Sequence, residues 1–273
     1  MQVQETDQKD FVIKQIKANI FQIKDKNDCY CFLFLGTKEA LLFDTMSGTA
    51  PLLPLIRTLT SLPVTVVISH THYDHIGGIF EFSKVFLSEK EFDNYKIHKQ
   101  YLNQLVPSET QRIDPMLCNF SDGDVFDLTN LQLTAVSLPG HTPGCMGLIC
   151  HDYDLLFSGD AVTPIMCLFF PESTTISDYK KTIEKIQSLA ITHYMTSHHE
   201  TLFPVSELSN YLLCTDFAME DKGMRFYHDR IEAFQGVLHI YRGNNSKSRD
   251  FLALISKKTP PAPSPLSKPE YSS

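Results

Sequence analysis

Apolar and polar positions alternate in short stretches along the first part of the chain, a pattern typical of β-strands that are buried on one face. Such stretches occupy residues 11–16, 18–23, 29–35 and 40–43. Residues 51–62 instead carry apolar side chains at helical spacing, and the β-branched residues 64–68 predict a central strand. The first part of the chain is therefore predicted to be a β-meander followed by a helix and a buried strand.

Strands and helices continue to alternate through residue 189. Residues 85–87 predict a short strand, and a helix is predicted to begin near Ser88, with Glu91 as the partner of Ser88 in a capping box. Further strands are predicted at residues 131–136, 146–150 and 155–157, and a further helix at 177–189. This order favours an α/β fold, a sandwich of two mixed sheets with helices on the outside.

Composition and charge exclude several classes of protein. The 273 residues are 42% hydrophobic and 21% charged, as in globular proteins, and the net charge of −8 argues against a nucleic-acid partner. No apolar run approaches the roughly 18 residues of a membrane helix, so no membrane association is expected. The acidic N-terminus predicts neither a signal peptide nor a transit peptide. We therefore expect a small-molecule substrate; the oligomeric state is not predicted.

The cysteines and the C-terminal end complete this general picture. Seven cysteines without a repeated spacing indicate reduced thiols, and together with the N-terminus they predict a cytoplasmic location. Cys29 and Cys31 are interpreted as buried packing residues. Residues 258–273 are rich in proline and polar residues and are predicted to be a disordered tail.

Four potential metal ligands follow the predicted strand at residues 64–68: His70, His72, Asp74 and His75. In an extended loop, the first three share one side and His75 lies on another, so one loop could address two adjacent metals. A single histidine at a strand end is usually only hydrogen-bonded. Three histidines and an aspartate within six positions are improbable by chance when the chain holds 11 histidines, so the cluster predicts metal binding.

Further candidates lie in loops that follow predicted strands. His141 stands between Pro-Gly and Thr-Pro-Gly, a rigid backbone that can hold an imidazole inward. Asp160 ends an apolar strand, and its two oxygens could bridge two cations. Either His198 or His199 could supply the last ligand.

The histidine and aspartate motifs between about residues 29 and 200, and their order along the chain, resemble those of the metallo-β-lactamase superfamily. The resemblance implies an αββα sandwich in residues 1–257, with or without an added subregion in its C-terminal part. It implies metal ligands at His70, His72 and His141 for one ion and at Asp74, His75 and His198 for the other, with Asp160 bridging. It also implies that Asp44 supports the ligands without binding metal.

The function implied is that of a hydrolase with two divalent metal ions, zinc or alternatively iron or manganese. Position 160 holds an aspartate, whereas many true β-lactamases carry cysteine there. In this respect the chain resembles glyoxalase II and the lactonases. A metal-bound hydroxide would attack a small acyl substrate (a thioester, a lactone or a related ester), with Asp74 as the catalytic group that accepts a proton.

Two other functional classes are alternatives. Persulfide dioxygenases, which are mono-iron oxidoreductases, carry a similar set of motifs, so this class stays open. A metal-binding protein without catalysis is disfavoured, because a structural metal site needs no bridging carboxylate. Substrate specificity is expected from residues 80–117 and 163–173 and from the region after Leu202.

Overall fold

The computed structural model describes residues 5–106, 112–220, 223–227, 235–244, 246 and 250–257. The predicted disordered tail, residues 258–273, lies outside these ranges. The extent of the domain, predicted as residues 1–257, stays a prediction.

One mixed sheet is formed by the first part of the chain, with its strands in sequential order. The strands are β1 (Glu5–Gln8), β2 (Phe11–Lys17), β3 (Ile20–Asp25), β4 (Tyr30–Leu35), β5 (Ala40–Phe43), β6 (Val64–Val67), β7 (Lys84–Leu87) and β8 (Met116–Asn119). Strands β1 to β5 pair antiparallel, and β5 to β8 pair parallel. Strands β4 and β5 are apolar along almost their whole length because both faces of the sheet are covered there.

The remaining strands form two further sheets. In chain order they are β9 (Val125–Asp127), β10 (Gln132–Ser137), β11 (Met146–Cys150), β12 (Leu155–Phe157), β13 (Ile165–Leu168), β14 (His193–Met195), β15 (Phe203–Pro204), β16 (Met224–Tyr227), β17 (Gln235–Arg242) and β18 (Leu252–Lys257). The second sheet has the order β15-β14-β12-β11-β10-β9, and is mixed because β12 and β14 are parallel. The third sheet has the order β13-β18-β17-β16.

Helices cover the outer faces of the first two sheets. They are α1 (Leu52–Leu59), α2 (Phe92–Leu105), α3 (Ile176–Ser188) and α4 (Leu208–Met219). Helices α1 and α2 bury Leu55 and Tyr95 against the first sheet, and α3 and α4 bury Ile183 and Leu208 against the second. Phe32 and Phe157 meet edge to face at 4.8 Å in the core between the two sheets. The predicted αββα sandwich of mixed sheets is thus confirmed.

The start of α2 differs from its prediction. Ser88 makes no side-chain capping bond, and a short 3₁₀ turn, Glu89–Glu91, precedes the helix. The predicted capping box is therefore wrong, because the Glu91 side chain is directed to other loops.

Candidate metal centre

The side chains predicted as metal ligands lie in loops that follow strands of both sheets. His70, His72, Asp74 and His75 follow β6, whereas His141, Asp160 and His198 follow β10, β12 and β14, respectively. Strands β10, β12 and β14 run in the same direction, so their carboxyl ends meet at one edge of the second sheet. The packing of the sheets brings the loop after β6 to the same edge.

The structure brings three imidazoles together as one potential ligand group. The ligand atoms of His70, His72 and His141 all lie within 4.8 Å of one another, and all three residues are buried. These are the residues predicted to hold one ion.

Asp160 lies at the centre of the remaining ligands. Its Oδ2 atom is 3.1 Å from His198 Nε2, 3.5 Å from His75 Nε2 and 3.7 Å from His141 Nε2. Asp74 is close by, with Oδ2 3.4 Å from His198 Nε2. One carboxylate therefore faces imidazoles of both predicted ligand groups, which is the position that a bridging ligand requires.

Each histidine of the cluster is held by a hydrogen bond from the ring nitrogen that faces away from the other ligands. His75 Nδ1 donates to Asp44 Oδ2 at 3.0 Å, and His141 Nδ1 donates to the carbonyl oxygen of Cys167 at 2.7 Å. The other three bonds join His70 Nδ1 to Ser69 Oγ at 3.0 Å, His72 Nε2 to Glu172 Oε1 at 2.9 Å, and His198 Nδ1 to the carbonyl oxygen of Asp28 at 3.3 Å. Such bonds fix the tautomer and orientation of metal-binding histidines.

The atoms on the inner side of the cluster fit a cation. The Nε2 atoms of His70, His75 and His141 and Oδ1 of Asp160 are buried and have no hydrogen-bond partner among the described residues. A buried polar atom without a partner costs about 1–3 kcal/mol, so several that converge need a ligand. Imidazole and carboxylate donors suit zinc, iron or manganese.

The charges of the cluster shift its pKa values in two directions. Burial, together with the neighbouring imidazoles, lowers the pKa of His70 well below its ordinary value and keeps it in the neutral form that binds metals. Burial alone would also lower the pKa of His75 and His198, but Asp160 holds both well above the ordinary value. A divalent cation supplies the same positive charge and would displace these two protons.

Asp44 supports the cluster from the end of β5. It adopts a left-handed backbone conformation, with φ of +67°, which is unfavourable for a non-glycine residue. Its carboxylate accepts hydrogen bonds from the backbone and side chain of Ser69, from His75 and from Ser197. One buried carboxylate thus connects loops of both sheets.

Glu91 has a role that the sequence does not reveal. Its Oε2 atom accepts hydrogen bonds from the backbone N–H and the hydroxyl of Thr71, at 3.1 Å and 2.8 Å. Its Oε1 atom accepts hydrogen bonds from the Thr142 hydroxyl at 2.6 Å and from the Gly144 N–H at 2.9 Å. Glu91 is buried and ties the loop after β6 to the loop that holds His141.

A second unpredicted contact lies behind His72. Glu172 Oε1 accepts hydrogen bonds from His72 Nε2 at 2.9 Å and from the buried His98 Nε2 at 2.7 Å. Helix α2 and the loop after β13 therefore orient a predicted ligand through one carboxylate.

His199 and Cys29 both lie near His198 and carry potential ligand atoms. The structure places His198, and not His199, in the potential ligand groups of the described residues. Cys29 forms a further potential ligand group with Asp74 and His198. Without a metal, burial raises the pKa of its thiol to about 12. The packing role predicted for Cys29 stays a prediction.

An αββα sandwich that gathers histidines and aspartates from both sheets at one edge defines a class of metalloprotein. The chain belongs to the metallo-β-lactamase superfamily, whose family model matches residues 25–204. Among the described residues, no helix is both long and apolar enough to cross a membrane.

Relatives and solved structures agree with this membership. The chain is similar to human (Homo sapiens) acyl-coenzyme A thioesterase MBLAC2, with 27% identity over 242 residues, 73% of this chain and 86% of the relative. It is also similar to the hydroxyacylglutathione hydrolase of Nitrosomonas europaea, with 27% identity over 151 residues, 55% of this chain and 51% of the relative. A metallo-β-lactamase from Pontibacter korlensis has a similar fold, with a TM-score of 0.57 and 18% identity, covering 79% of this chain and 99% of that structure.

Proposed function

We propose that the protein is a metal-dependent hydrolase that cleaves thioesters at a dinuclear centre. The cluster of histidines and aspartates from both sheets is the observation that carries this proposal. The names of both relatives describe hydrolysis of an acyl group joined to a thiol, which favours a thioester over a lactone or an oxygen ester.

Two ligand groups of the cluster are suited to hold two ions. His70, His72 and His141 would hold the first ion, since their ligand atoms lie within 4.8 Å of one another. Asp74, His75 and His198 would hold the second, with Asp160 between the two groups. Two divalent ions would lower the pKa of a bound water toward neutrality and polarise a carbonyl oxygen.

Asp74 is the residue of the cluster best placed to transfer a proton. Its side chain is 22% exposed and lies 3.4 Å from His198, at the open side of the cluster. The carboxylate would accept a proton from the attacking water and return it to the thiolate that leaves. In the metal-free cluster, His198 and His75 hold the pKa of the buried Asp160 well below its ordinary value against the effect of burial. Bound cations would replace that positive charge and keep Asp160 ionised.

The proposal is tested by metal analysis of the freshly purified protein, followed by assays with acyl-thioesters. We expect about two equivalents of a divalent metal and thioester hydrolysis that a chelator abolishes. His72→Ala is expected to lower kcat/KM by about a hundredfold or more, because it removes a ligand.

His151→Ala is a matched control, because the His151 side chain is exposed and hydrogen-bonds to Thr134 Oγ1 at 3.0 Å. It should keep both metal content and activity. One equivalent of iron together with oxygen consumption in the presence of a persulfide would contradict the proposal and favour the dioxygenase-like alternative.

A further inference from the structure

Two cavities border the metal-ligand cluster. The first, of about 350 Å³, is called the aromatic cavity and is lined by Ile165, Cys167, Phe169, Phe170, Phe226 and Ile255. The second, of about 390 Å³, is called the polar cavity and is lined by Asn27, Cys29, Ser47 and Thr49. Tyr73, Asp74 and His198 line both cavities, so the two meet at the cluster.

Aromatic rings form a continuous wall of the first cavity. Phe169 stacks on Phe170 at 4.3 Å and meets Phe226 edge to face at 5.0 Å. The Phe170 ring lies 4.2 Å from the ring of the predicted ligand His72, so the wall reaches the cluster itself. No Lys, Arg or Glu side chain of the described residues lines this cavity. An alkyl or aryl group that enters it leaves water for an apolar surface.

The polar cavity offers neutral hydrogen-bonding groups. Asn27 Nδ2 donates to Ser47 Oγ at 3.0 Å, and the half-buried Asn27 side chain lines the cavity with an amide that can donate and accept hydrogen bonds. Neither Lys nor Arg is among the residues that line this cavity in the described part of the chain. Amide groups, which need a donor and an acceptor but no charge, suit such a surface.

We propose that a thioester lies across the cluster, with an apolar acyl chain in the aromatic cavity and the amide-bearing arm of the thiol in the polar cavity. This inference rests on the proposed thioester hydrolysis and adds the acyl class and the orientation of the substrate. The volume of the aromatic cavity is at the lower end of the 300–1,000 Å³ range of ligand sites, so it accommodates the acyl chain and not the carrier. Coenzyme A and glutathione both carry amides near the sulfur, and either could supply the arm.

The acyl chain is tested with coenzyme A thioesters from acetyl to octanoyl. We expect kcat/KM to rise about three- to fourfold for each added methylene until the aromatic cavity is filled. Phe226→Ala should flatten this rise. Tyr227→Ala is the matched control, because Tyr227 is the next residue of β16, 59% exposed and on the opposite side of the strand, and should keep the rise. Hydrolysis without dependence on acyl length in the wild type would overturn the inference.

A binding measurement separates this inference from the proposed function. Calorimetry should show that S-octyl-coenzyme A, a thioether that cannot be hydrolysed, binds more tightly than coenzyme A, and that Phe226→Ala removes the difference. Tighter binding of the thioether by a protein that hydrolyses no thioester would support the aromatic cavity and overturn the proposed function. Equal binding of the two molecules would overturn the assignment of the aromatic cavity.

The thiol arm is tested with one acyl group on three thiols: coenzyme A, glutathione and ethanethiol, which has no amide. Asn27→Leu should lower the preference for an amide-bearing thiol over ethanethiol by about three- to tenfold, the effect of one hydrogen bond. The thiol with the higher kcat/KM identifies the carrier. A preference that Asn27→Leu leaves unchanged would overturn the assignment of the polar cavity.

Discussion

Glu91 is a single residue on which the geometry of two ligand loops depends. Its carboxylate accepts hydrogen bonds from both the Thr71 and the Gly144 N–H groups. In Glu91→Gln, the amide would turn its own N–H toward one of these donors and leave it unpaired. We expect the free energy of unfolding of the metal-free protein to fall by about 2 kcal/mol in urea denaturation. Zinc affinity, measured by competition with a chelator, should fall about tenfold or more.

Glu89→Gln provides the comparison, because Glu89 lies in the same 3₁₀ turn and is exposed. Its stability and zinc affinity should match those of the wild type. If Glu91→Gln behaved like Glu89→Gln, Glu91 would have no role in holding the loops.

The ligand candidates can be predicted from the sequence, because four of them lie within residues 70–75 and the others stand at strand ends. The supporting residues Glu91, His98 and Glu172 cannot, because nothing local distinguishes them from other charged or polar residues. Their contacts depend on how α2 and the loop after β13 pack against the ligand loops. Only the structure shows that Gly144 leaves room for Glu91: a Cβ at Gly144 would lie 2.5 Å from Glu91 Oε1.

At the scale of elements, the loop after β6 packs against the loop after β5 with no room for a side chain. A Cβ at Gly77 would lie 2.1 Å from both Gly48 N and the Ser47 carbonyl carbon. Gly77→Ala should therefore push the loops apart and displace Asp74 and His75. We expect the free energy of unfolding to fall by about 3 kcal/mol. The content of divalent metal in the purified protein should also fall, as measured by elemental analysis.

Gly123→Ala tests whether the steric contact causes the losses of stability and metal expected in Gly77→Ala. Gly123 has φ of +87°, but nothing lies within 4 Å of its Cβ position. This variant should lose about 1–2 kcal/mol of unfolding free energy through backbone strain alone and keep its metal content. Full metal content in Gly77→Ala would contradict the requirement for close packing of the two loops.

Periodicity predicts most elements of the sandwich, including helices α1 and α3, within a few residues. It does not predict the third sheet. Strand β13 is only four residues long, and its parallel partner β18 lies far along the chain, with Ile165 opposite Ala253. Pairing over such a separation depends on tertiary packing, and local sequence carries little information about it. The regions expected to set specificity nevertheless include Phe169, Phe170 and Phe226, which line the aromatic cavity.

At the scale of the whole molecule, the proposed ions would connect the two sheets and bind only the folded chain. A metal concentration a hundredfold above Kd stabilises a protein by about 2.7 kcal/mol. For a chain of this length we expect Tm to rise by roughly 5–10 °C when zinc is added to the chelator-treated protein. Scanning calorimetry measures the shift.

Asp160→Ala should bind less metal and show a smaller rise in Tm, because it removes the carboxylate that faces both ligand groups. Full metal occupancy with wild-type turnover in Asp160→Ala would contradict the bridging assignment.

The division of the ligand cluster between the two sheets has a consequence for the order of assembly. A chain still on the ribosome can complete the first sheet with His70, His72, Asp74 and His75 in place, while His198 has not been synthesised. Such an intermediate offers an incomplete set of ligands and would bind metal more weakly than the complete chain. Because metal-binding free energy adds to the free energy of folding, metal would favour the finished protein over its folding intermediates.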